Sequence, residues 1–534
     1  MSQKLNAPSA SGESSRGRLL SDHSSTSVLK GTHTDELVIA LCGPIGTPLQ
    51  DVAIEIGAML NASFKYEVEI IRVSDFIRKH SPQDDAQRVE GALHRRTGLI
   101  RDGLELRRRY GSAVLAELAV QQIRLSRQVN GRNPISRDFM SRRVCHIIQS
   151  IKTPQELELL RTVYREVLYM VGVYSPPSHR EATLRHEGLS DAEIGALMDP
   201  ESGAEVHEGI GVDEIFPQCD YFLRAEAESG RSTHVKRFLD LVLGTQVITP
   251  TRQETAMHAA ASAAGNSACL SRQVGAAVTD QQGEVLAIGW NDVPRPFGDL
   301  YVTDLETDPK GDKDGRCWSY GGICHNDEEK RALSAQLMSA LTPFIEESRR
   351  GEAAEAVFEN KKLRSLIEFS RAVHAEMHAL LTALRHAGER VRGGQLFVTT
   401  YPCHVCARHL VAAGIKEVYF IEPYKKSLAV KLHGDALSEC EKDVDKVRLI
   451  PFDGVAPTRY LSFFRIPANS RKESGRVIRI APGSASPRLK KSLEALPALE
   501  GIVIESLRQR ALADKTPHLS VIQGASTHDS AYPI

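Results

Sequence analysis

The sequence predicts an α/β protein made of two successive α/β units, and three observations lead to this fold class. Strand-like and helix-like segments alternate from Glu36 to about residue 240, which is typical of a parallel sheet. A second alternation runs from about residue 250 to 465. Hydrophobic residues make up 41% of the 534 residues and charged residues 25%, so most of the chain can bury ordinary cores.

The charge and the cysteine content argue against a polyanion-binding protein and against a secreted disulfide-rich protein. The formal net charge of -1 gives no overall field that would hold a polyanion, although a local basic pocket for a small nucleotide stays open. The nine cysteines are odd in number and scattered, unlike a secreted disulfide framework. The first 30 residues lack the apolar core of a signal peptide, and no apolar run approaches the roughly 20 residues that span a bilayer. We expect a cytoplasmic protein with reduced thiols and no membrane partner.

The first ordered element is predicted after a polar N-terminal segment. Residues 1–33 are polar without periodicity, and we expect them to be disordered. The apolar run Glu36–Cys42 predicts a buried strand, and it leads into Gly43-Pro-Ile-Gly46-Thr47 and then a helical pattern. A strand, a glycine loop and a helix form the context of a phosphate-binding loop. Gly43, Gly46 and Thr47 are therefore candidate phosphate contacts.

The phosphate-loop motif itself is broken in this chain. Pro48, Leu49 and Gln50 stand where the motif has Gly, Lys and Ser or Thr. Because phosphoryl transfer needs positioned phosphates and metal charge, we do not expect kinase activity. Backbone amides at a helix N-terminus can still hold a phosphate, so binding remains open.

The remaining elements follow from periodicity and from Gly and Pro breaks. In the first unit we predict strands at 66–73, 143–148 and 217–223, helices at 107–130, 154–169 and 235–243, and a loop-rich excursion at 175–210. In the second unit we predict helices at 254–264, 332–347, 376–387 and 404–413, strands at 274–279, 285–290, 395–400 and 417–421, and a polar insertion at 291–330. The expected division is 1–33 disordered, 34–240 first domain, 250–465 second domain and 466–534 flexible tail, in which residues 493–511 fit a helix.

A metal-binding pattern lies in the second unit. His374-Ala-Glu376 is followed by Pro402-Cys403-His-Val-Cys406, the spacing of the zinc deaminase signature. One imidazole and two thiolates fill three positions of a tetrahedral zinc and leave the fourth for water. Glu376 is two residues from the histidine, so it can exchange protons with that water without ligating the metal. A closed structural zinc site normally has four protein ligands, so the pattern favours a catalytic site.

A second metal site is a weaker candidate. Cys317, Cys324 and His325 lie within nine positions, with Cys269 upstream. Three soft ligands at this spacing could hold a structural zinc. The alternative, that these cysteines are inert, stays open.

The surroundings of the zinc pattern resemble the deoxycytidylate deaminase branch of the zinc deaminases. The matching segments are Ser271–Val278, Gly289–Pro294, Arg371–Glu376 and Thr399–Cys403. The resemblance implies that Asn291 contacts the sugar hydroxyl and that Arg272 lies near the phosphates. His378 departs from the branch, which often has Asn there, so the contacts to the base are less defined.

Further segments resemble the anti-phage dCTP deaminase family over residues 36–465: Glu422–Ser427, Leu432–Asp435 and Pro451–Tyr460. The resemblance implies a degenerate P-loop, nucleoside-kinase-like parallel-sheet domain followed by a cytidine-deaminase-like three-layer α/β/α domain. It implies conversion of dCTP to dUTP, and of dCMP to dUMP, which depletes the dCTP pool in defence against phage. Lys426, Ser427 and Tyr460 become candidate nucleotide contacts.

The resemblance also implies partners. Relatives form homo-oligomers, and some are held inactive by a nucleotide or a companion RNA, which here would act through the first unit. A housekeeping dCMP deaminase of nucleotide metabolism is the alternative function. A polynucleotide-editing deaminase is less favoured, because aromatic residues are only 6% and no basic stripe flanks the site. A nucleotide-binding regulator without activity would leave the His-Glu-Cys-Cys set unexplained.

Overall fold

A computed structural model describes most of the chain, namely residues 25, 29–30, 32–81, 92–129, 141–198, 212–225, 228–423, 427–466, 471–492 and 495–513. The N-terminal segment for which we predict disorder lies almost wholly outside the described residues. No helix among those described is long and apolar enough to cross a lipid bilayer.

The first unit is built on a mostly parallel sheet. Its strands are β1 (Leu37–Cys42), β2 (Glu67–Arg72), β3 (Val144–Gln149), β4 (Leu168–Tyr174) and β5 (Tyr221–Arg224). They lie in the order β5-β4-β1-β3-β2, and every neighbouring pair is parallel. All six residues of β1 are buried, because both faces of a parallel sheet are covered by helices.

Helices cover this sheet on both faces. They are α1 (Leu49–Phe64), α2 (Val73–His80), α3 (Ala92–Tyr110), α4 (Val114–Val129), α5 (Pro154–Tyr164), α6 (Pro177–His186), α7 (Asp191–Met198) and α8 (Glu228–Leu243). Alternate residues of β1 enter two different hydrophobic clusters, with Val38 in one and Ile39 in the other. The glycine loop between β1 and α1 therefore sits at the carboxyl end of a central strand, where open α/β sheets bind ligands.

Three predictions for the first unit are wrong. The helix expected at 154–169 ends at Tyr164, and the unpredicted strand β4 begins at Leu168. The expected loop at 175–210 contains α6 and α7, whose Leu184, Ile194 and Leu197 pack on Ile45. Their helical spacing was masked by the surrounding polar residues. The expected helix at 107–130 is two helices that meet near Gly111, whose φ of 107° is left-handed.

The second unit has a mixed sheet. Its strands are β6 (Gly275–Thr279), β7 (Val285–Trp290), β8 (Gln395–Thr400), β9 (Glu417–Glu422), β10 (Leu437–Ser438) and β11 (Val447–Pro451). The order is β10-β11-β9-β8-β6-β7. The predicted hairpin of β6 and β7 is confirmed as an antiparallel pair, β6 is also antiparallel to β8, and the other pairs are parallel.

Helices lie on both faces of this sheet and give three layers. The helices of this unit are α9 (Arg252–Ala264), α10 (His325–Leu341), α11 (Arg350–Phe358), α12 (Lys361–Arg364), α13 (Ala375–Ala387), α14 (His404–Ala412), α15 (Ala429–His433) and α16 (Tyr460–Phe464). Ala277 shares a cluster with Ala260 of α9, and Ala276 shares another with Ala379 of α13, because successive strand residues face opposite sides. Helices α10 to α12 form a projecting segment, which we call the arm (residues 325–364).

The two units share a sheet. Only two residues after β11, the chain forms β12 (Gly454–Val455), which pairs antiparallel with β5 of the first unit. Arg459 then donates to Asp220 of the first unit through Nε, over 2.8 Å. The second unit thus covers the edge of the first sheet, and covering an edge prevents unwanted strand pairing.

The helix expected at residues 493–511, within a tail that we otherwise expect to be flexible, is confirmed for residues 496–509. They form α17 (Leu496–Gln509), which packs on the first unit through Val503 and Leu507. The fully buried Glu500 of α17 forms an ion pair with Arg127 of α4. Two further short strands, β13 (Lys472–Glu473) and β14 (Arg476–Val477), form a hairpin before it. An apolar face at helical spacing and a buried charge pair fix this helix, although Pro, Ser and basic residues dominate the tail's composition.

Candidate functional site

Two helix starts present the metal-binding residues. His374 is the N-cap of α13, so Glu376 is the second residue of that helix. Cys403 is the N-cap of α14 and accepts a hydrogen bond from the backbone amide of Cys406 through Sγ, over 3.4 Å. Strand β8 ends at Thr400 and delivers the chain to this turn. The partial positive charge of a helix N-terminus stabilises thiolate and carboxylate groups at both places.

The three candidate ligands fit a zinc ion. His374 Nδ1 lies 3.4 Å from Cys403 Sγ and 3.3 Å from Cys406 Sγ. A tetrahedral zinc with ordinary Zn–N and Zn–S bonds separates such atoms by about 3.5 Å. All three ligand atoms lie within 4.8 Å of one another, and no other group of three His, Cys, Asp or Glu does so in the described part of the chain.

Hydrogen bonding and burial shift the pKa values of these groups. Hydrogen bonds from Cys406 and His374 lower the pKa of Cys403 to about 4, so this sulfur is a thiolate at neutral pH. The hydrogen bond to Cys403 raises the pKa of His374 to about 9. Glu376 is only 4% exposed, and burial raises its pKa. A carboxyl group with a raised pKa exchanges protons more readily near neutral pH.

A cavity of about 470 Å³ opens over this group. Its walls come from three separate parts of the chain: the turns of the second unit, the arm, and Asp213 of the first unit. The volume is in the range of small-molecule sites. The first unit therefore contributes to the same cavity as the zinc group, which the sequence did not indicate.

Asn291 lines the cavity, but its side-chain amide is hydrogen-bonded to the backbone of the segment that leads into β6. Its Oδ1 accepts from the amide of Val274 over 2.7 Å, and its Nδ2 donates to the carbonyl of Arg272 over 2.9 Å. Asn291 is 7% exposed. An amide keeps one further donor and acceptor site after these bonds, so a contact to substrate stays a prediction.

The residues predicted to contact the nucleotide are placed in different surroundings. Arg272 lines the cavity and pairs with Glu422 over 2.7 Å, with 47% of its side chain exposed. Ser427 donates to the carbonyl of Pro402 over 2.8 Å, so it supports the turn that carries the cysteines. Lys426 lies outside the described residues.

Tyr460 and His378 lie beyond the described lining of the cavity. The ring of Tyr460 stacks on His258 of α9 with 4.0 Å between the centroids, which ties α16 to α9. His378 accepts from the amide of Trp290 over 3.2 Å, and burial lowers its pKa. This bond joins α13 to β7.

The candidate second metal residues do not meet metal-binding distances in this structure. Cys269, Cys317, Cys324 and His325 all line the catalytic cavity, yet they are not among the described groups that meet metal distances. Instead, Cys317 Sγ lies 3.8 Å from a donor nitrogen of Arg371. Closeness in sequence did not bring these ligand atoms together.

The glycine loop of the first unit lines a second cavity, of about 670 Å³. Gly43, Gly46 and Thr47 are part of this lining. The described lining contains five basic residues, which are Arg72, Arg78, Arg96, Arg107 and Lys152. It contains two acidic residues, Asp51 and Glu187. Lys152 comes from the loop after β3, and its Nζ lies 3.2 Å from the carbonyl of Gly43. A lysine thus approaches this loop from a neighbouring strand, which the broken motif did not reveal.

Comparison with known proteins agrees with the zinc group. Residues 250–422 match the family model described as the cytidine and deoxycytidylate deaminase zinc-binding region. ComE operon protein 2 of Bacillus subtilis (strain 168) is 43% identical over 56 residues, 10% of this chain and 29% of that protein. The deoxycytidylate deaminase of Enterobacteria phage T2 is 33% identical over 69 residues, 13% of this chain and 36% of that protein. The chain thus spans about a third of the length of these relatives.

A solved structure was also compared. The crystal structure of the dCMP deaminase from the cyanophage S-TIM5, in complex with dCMP and dUMP, is 20% identical with a TM-score of 0.23, covering 38% of this chain and 99% of that chain. The family match and the His374, Cys403 and Cys406 group identify zinc as the cofactor of this region.

Proposed function

We propose that this protein is a zinc-dependent hydrolase that removes the exocyclic amine of cytosine in a deoxynucleotide. The observation that carries the proposal is the position of Glu376. Its buried carboxyl lies at the start of the same helix that His374 caps, beside the two cysteine ligands. A structural zinc site has no use for such a group, whereas hydrolytic deamination needs a proton carrier at this place.

Glu376 carries protons between water and substrate in this proposal. A zinc ion on His374, Cys403 and Cys406 acts as a Lewis acid that makes water nucleophilic near neutral pH. Glu376 takes a proton from the attacking water and gives it to the N3 atom of cytosine as the water oxygen bonds to C4. Glu376 then passes the second proton to the amine, the C4–N4 bond breaks, and ammonia leaves. Uracil is the product base.

The finer substrate assignment is also a proposal. We propose dCTP, converted to dUTP, as the main substrate and dCMP, converted to dUMP, as a further one, with depletion of dCTP in defence against phage. The support is the resemblance of Glu422–Ser427, Leu432–Asp435 and Pro451–Tyr460 to the anti-phage dCTP deaminases. A dCMP deaminase of nucleotide metabolism is the alternative.

We propose that the first unit binds a regulator, which is a nucleotide or an RNA, and that the protein acts as a homo-oligomer. The amides at the start of α1 and the nearby Lys152 support an anionic ligand in the second cavity. Asp213 links the two units at the catalytic cavity, so a change in the first unit has a physical route to the substrate.

The test is a substrate comparison with the purified full-length protein. The protein is incubated with dCTP, dCMP, CTP and a cytosine-containing oligonucleotide, and the products are separated by chromatography. We expect conversion of dCTP or dCMP to the uracil nucleotide, and no conversion by Glu376→Gln with zinc retained. Conversion of the oligonucleotide alone would replace the proposal with polynucleotide editing.

A further inference from the structure

A half-buried arginine without a carboxylate partner lies on the wall of the catalytic cavity. Arg371 comes three residues before His374, and both line this cavity. Its Nη2 donates to the carbonyl of Gly315 over 3.1 Å, and its Nη1 lies 3.8 Å from Cys317 Sγ. The guanidinium carbon lies 4.6 Å from the ring centroid of Tyr320. None of these described partners carries a negative charge.

The surroundings of Arg371 hold it in place but leave its charge uncompensated. A guanidinium has five N–H donors, and the two contacts above use two of them. A Cβ on Gly315 would lie 2.6–2.8 Å from atoms of the Tyr301 ring, so the carbonyl that holds Arg371 depends on a glycine. Burying a positive charge without a counter-charge costs free energy, which an anionic ligand in the cavity would offset.

A lysine on the arm shows the same incomplete pairing. Lys330 of α10 lines the cavity, and only 15% of its side chain is exposed. Its Nζ donates to the carbonyl of Arg364 over 2.9 Å and forms a long ion pair with Asp327, over 3.7 Å. The ammonium therefore keeps donors for a further acceptor.

Other basic residues of the cavity differ from these two. Arg272 forms an ion pair with Glu422 over 2.7 Å. Arg364 forms an ion pair with Glu359, and 57% of its side chain is exposed. Their charges are already matched by carboxylates of the protein. Arg371 thus has no carboxylate among its described partners, and Lys330 has one long ion pair, with Asp327.

We propose that Arg371 and Lys330 bind the phosphate groups of the substrate and make the enzyme selective for nucleotides over nucleosides. This inference rests on the proposed deaminase function and extends it to the residues that bind the phosphate groups of the substrate. The arm then has a function, because it supplies Lys330. Cys317 and Tyr320, which contact Arg371, lie just before it in the chain.

The test compares deoxycytidine, dCMP and dCTP as substrates of the full-length zinc enzyme and its variants. In Arg371→Gln and Lys330→Gln we expect kcat/KM for both nucleotides to fall about 10- to 100-fold, the range for one lost charged hydrogen bond. Deoxycytidine has no phosphate, so its kcat/KM should change less than about threefold. Arg371→Lys should recover part of the loss. Arg331→Gln is the matched control, since Arg331 neighbours Lys330 but is 63% exposed and is absent from the described lining.

Two outcomes would overturn the inference. An equal loss of kcat/KM on all three substrates would show a structural role. No loss of kcat/KM on any of them would show that neither residue takes part in recognition. A binding measurement separates failure of this inference from failure of the proposed deaminase function. Equilibrium dialysis of dCTP and deoxycytidine against zinc-loaded Glu376→Gln should show weaker dCTP binding when Arg371→Gln is added. If the wild type deaminates nothing but this difference is found, only the proposed reaction fails.

Discussion

Glu254 Oε1 accepts a hydrogen bond from the backbone amide of Val455 over 3.0 Å. The same carboxylate pairs with Arg237 of α8 over 2.6 Å and caps α9 by accepting from the amide of Thr251 over 2.7 Å. One side chain, 2% exposed, therefore joins α8 of the first unit, the start of α9 and strand β12. Gly454 makes room for it, because a Cβ there would lie 2.9 Å from Oε1.

We expect Glu254→Ala to destabilise the protein by about 3–5 kcal/mol, because it leaves Arg237 and a buried amide without their partner. Urea unfolding followed by circular dichroism measures this loss. Glu505→Ala is the control, since Glu505 is 58% exposed on α17 and its removal should change stability by less than about 0.5 kcal/mol. Equal midpoints for the two variants would refute the joining role of Glu254.

Glu376→Gln should lower kcat by about 10²–10⁴-fold, the usual contribution of a general acid–base group. The neutral amide keeps the size of the side chain but cannot take a proton. Zinc content, measured by plasma mass spectrometry, should stay at the wild-type value because Glu376 is not a ligand. Loss of zinc together with activity would instead place this carboxyl in the metal shell.

Zinc should be present at about one ion per chain, since one described group meets metal distances. Cys406→Ser should abolish tight zinc binding, and Cys324→Ser should leave the ratio unchanged. Metal analysis after dialysis checks both variants. A ratio near two that drops to one in Cys324→Ser would restore the second metal site.

Glu36 should make the stability of the first unit sensitive to acid. Burial raises its pKa, but Arg127, which donates to it over 2.8 Å, together with His146 and Arg142 lowers the pKa, and the net shift is downward from 4.5. A lowered folded pKa contributes stability above about pH 4.5 that is lost as the pH falls through the folded value. Glu36→Gln should be less stable than the wild type at pH 7, by up to about 3–5 kcal/mol.

The test at low pH follows the difference in unfolding free energy between the wild type and Glu36→Gln. Urea unfolding at pH 7, 5, 4 and 3 should show the difference in unfolding free energy shrinking as the pH falls below about 4.5, towards the lowered pKa of the wild-type carboxyl. A difference that is constant over this range would mean that charge at Glu36 is not what stabilises the fold.

The zinc group could be predicted from the sequence because each half of it is local. His374 and Glu376 lie within one helical turn, as do Cys403 and Cys406, so spacing alone places them together. The joining of the two halves needs only that β8 delivers the second turn beside α13. The hairpin of β6 and β7 was predictable for the same reason, since its turn residues are adjacent in the chain.

Contacts between distant residues could not be predicted in this way. Asp213 reaches a cavity whose ligands lie more than 150 positions later, and no pattern around it indicates this. Strand β12 has only two residues, too few for a periodic signal. Helix α17 has such a signal, but its partner surface on α4 is far away in sequence. Cys317 and Cys324 show the opposite case, where closeness in sequence did not produce a shared ligand.

Strand β12 has a consequence for how this chain can be divided. A second unit produced alone would carry a two-residue strand with no neighbour, and a first unit produced alone would expose the bare edge of β5. Exposed edges of this kind favour aggregation. A cut near Thr249, where the two patterns of the sequence separate, would therefore yield two fragments that are each incomplete. The sequence contains two units, but we expect them to fold together as one.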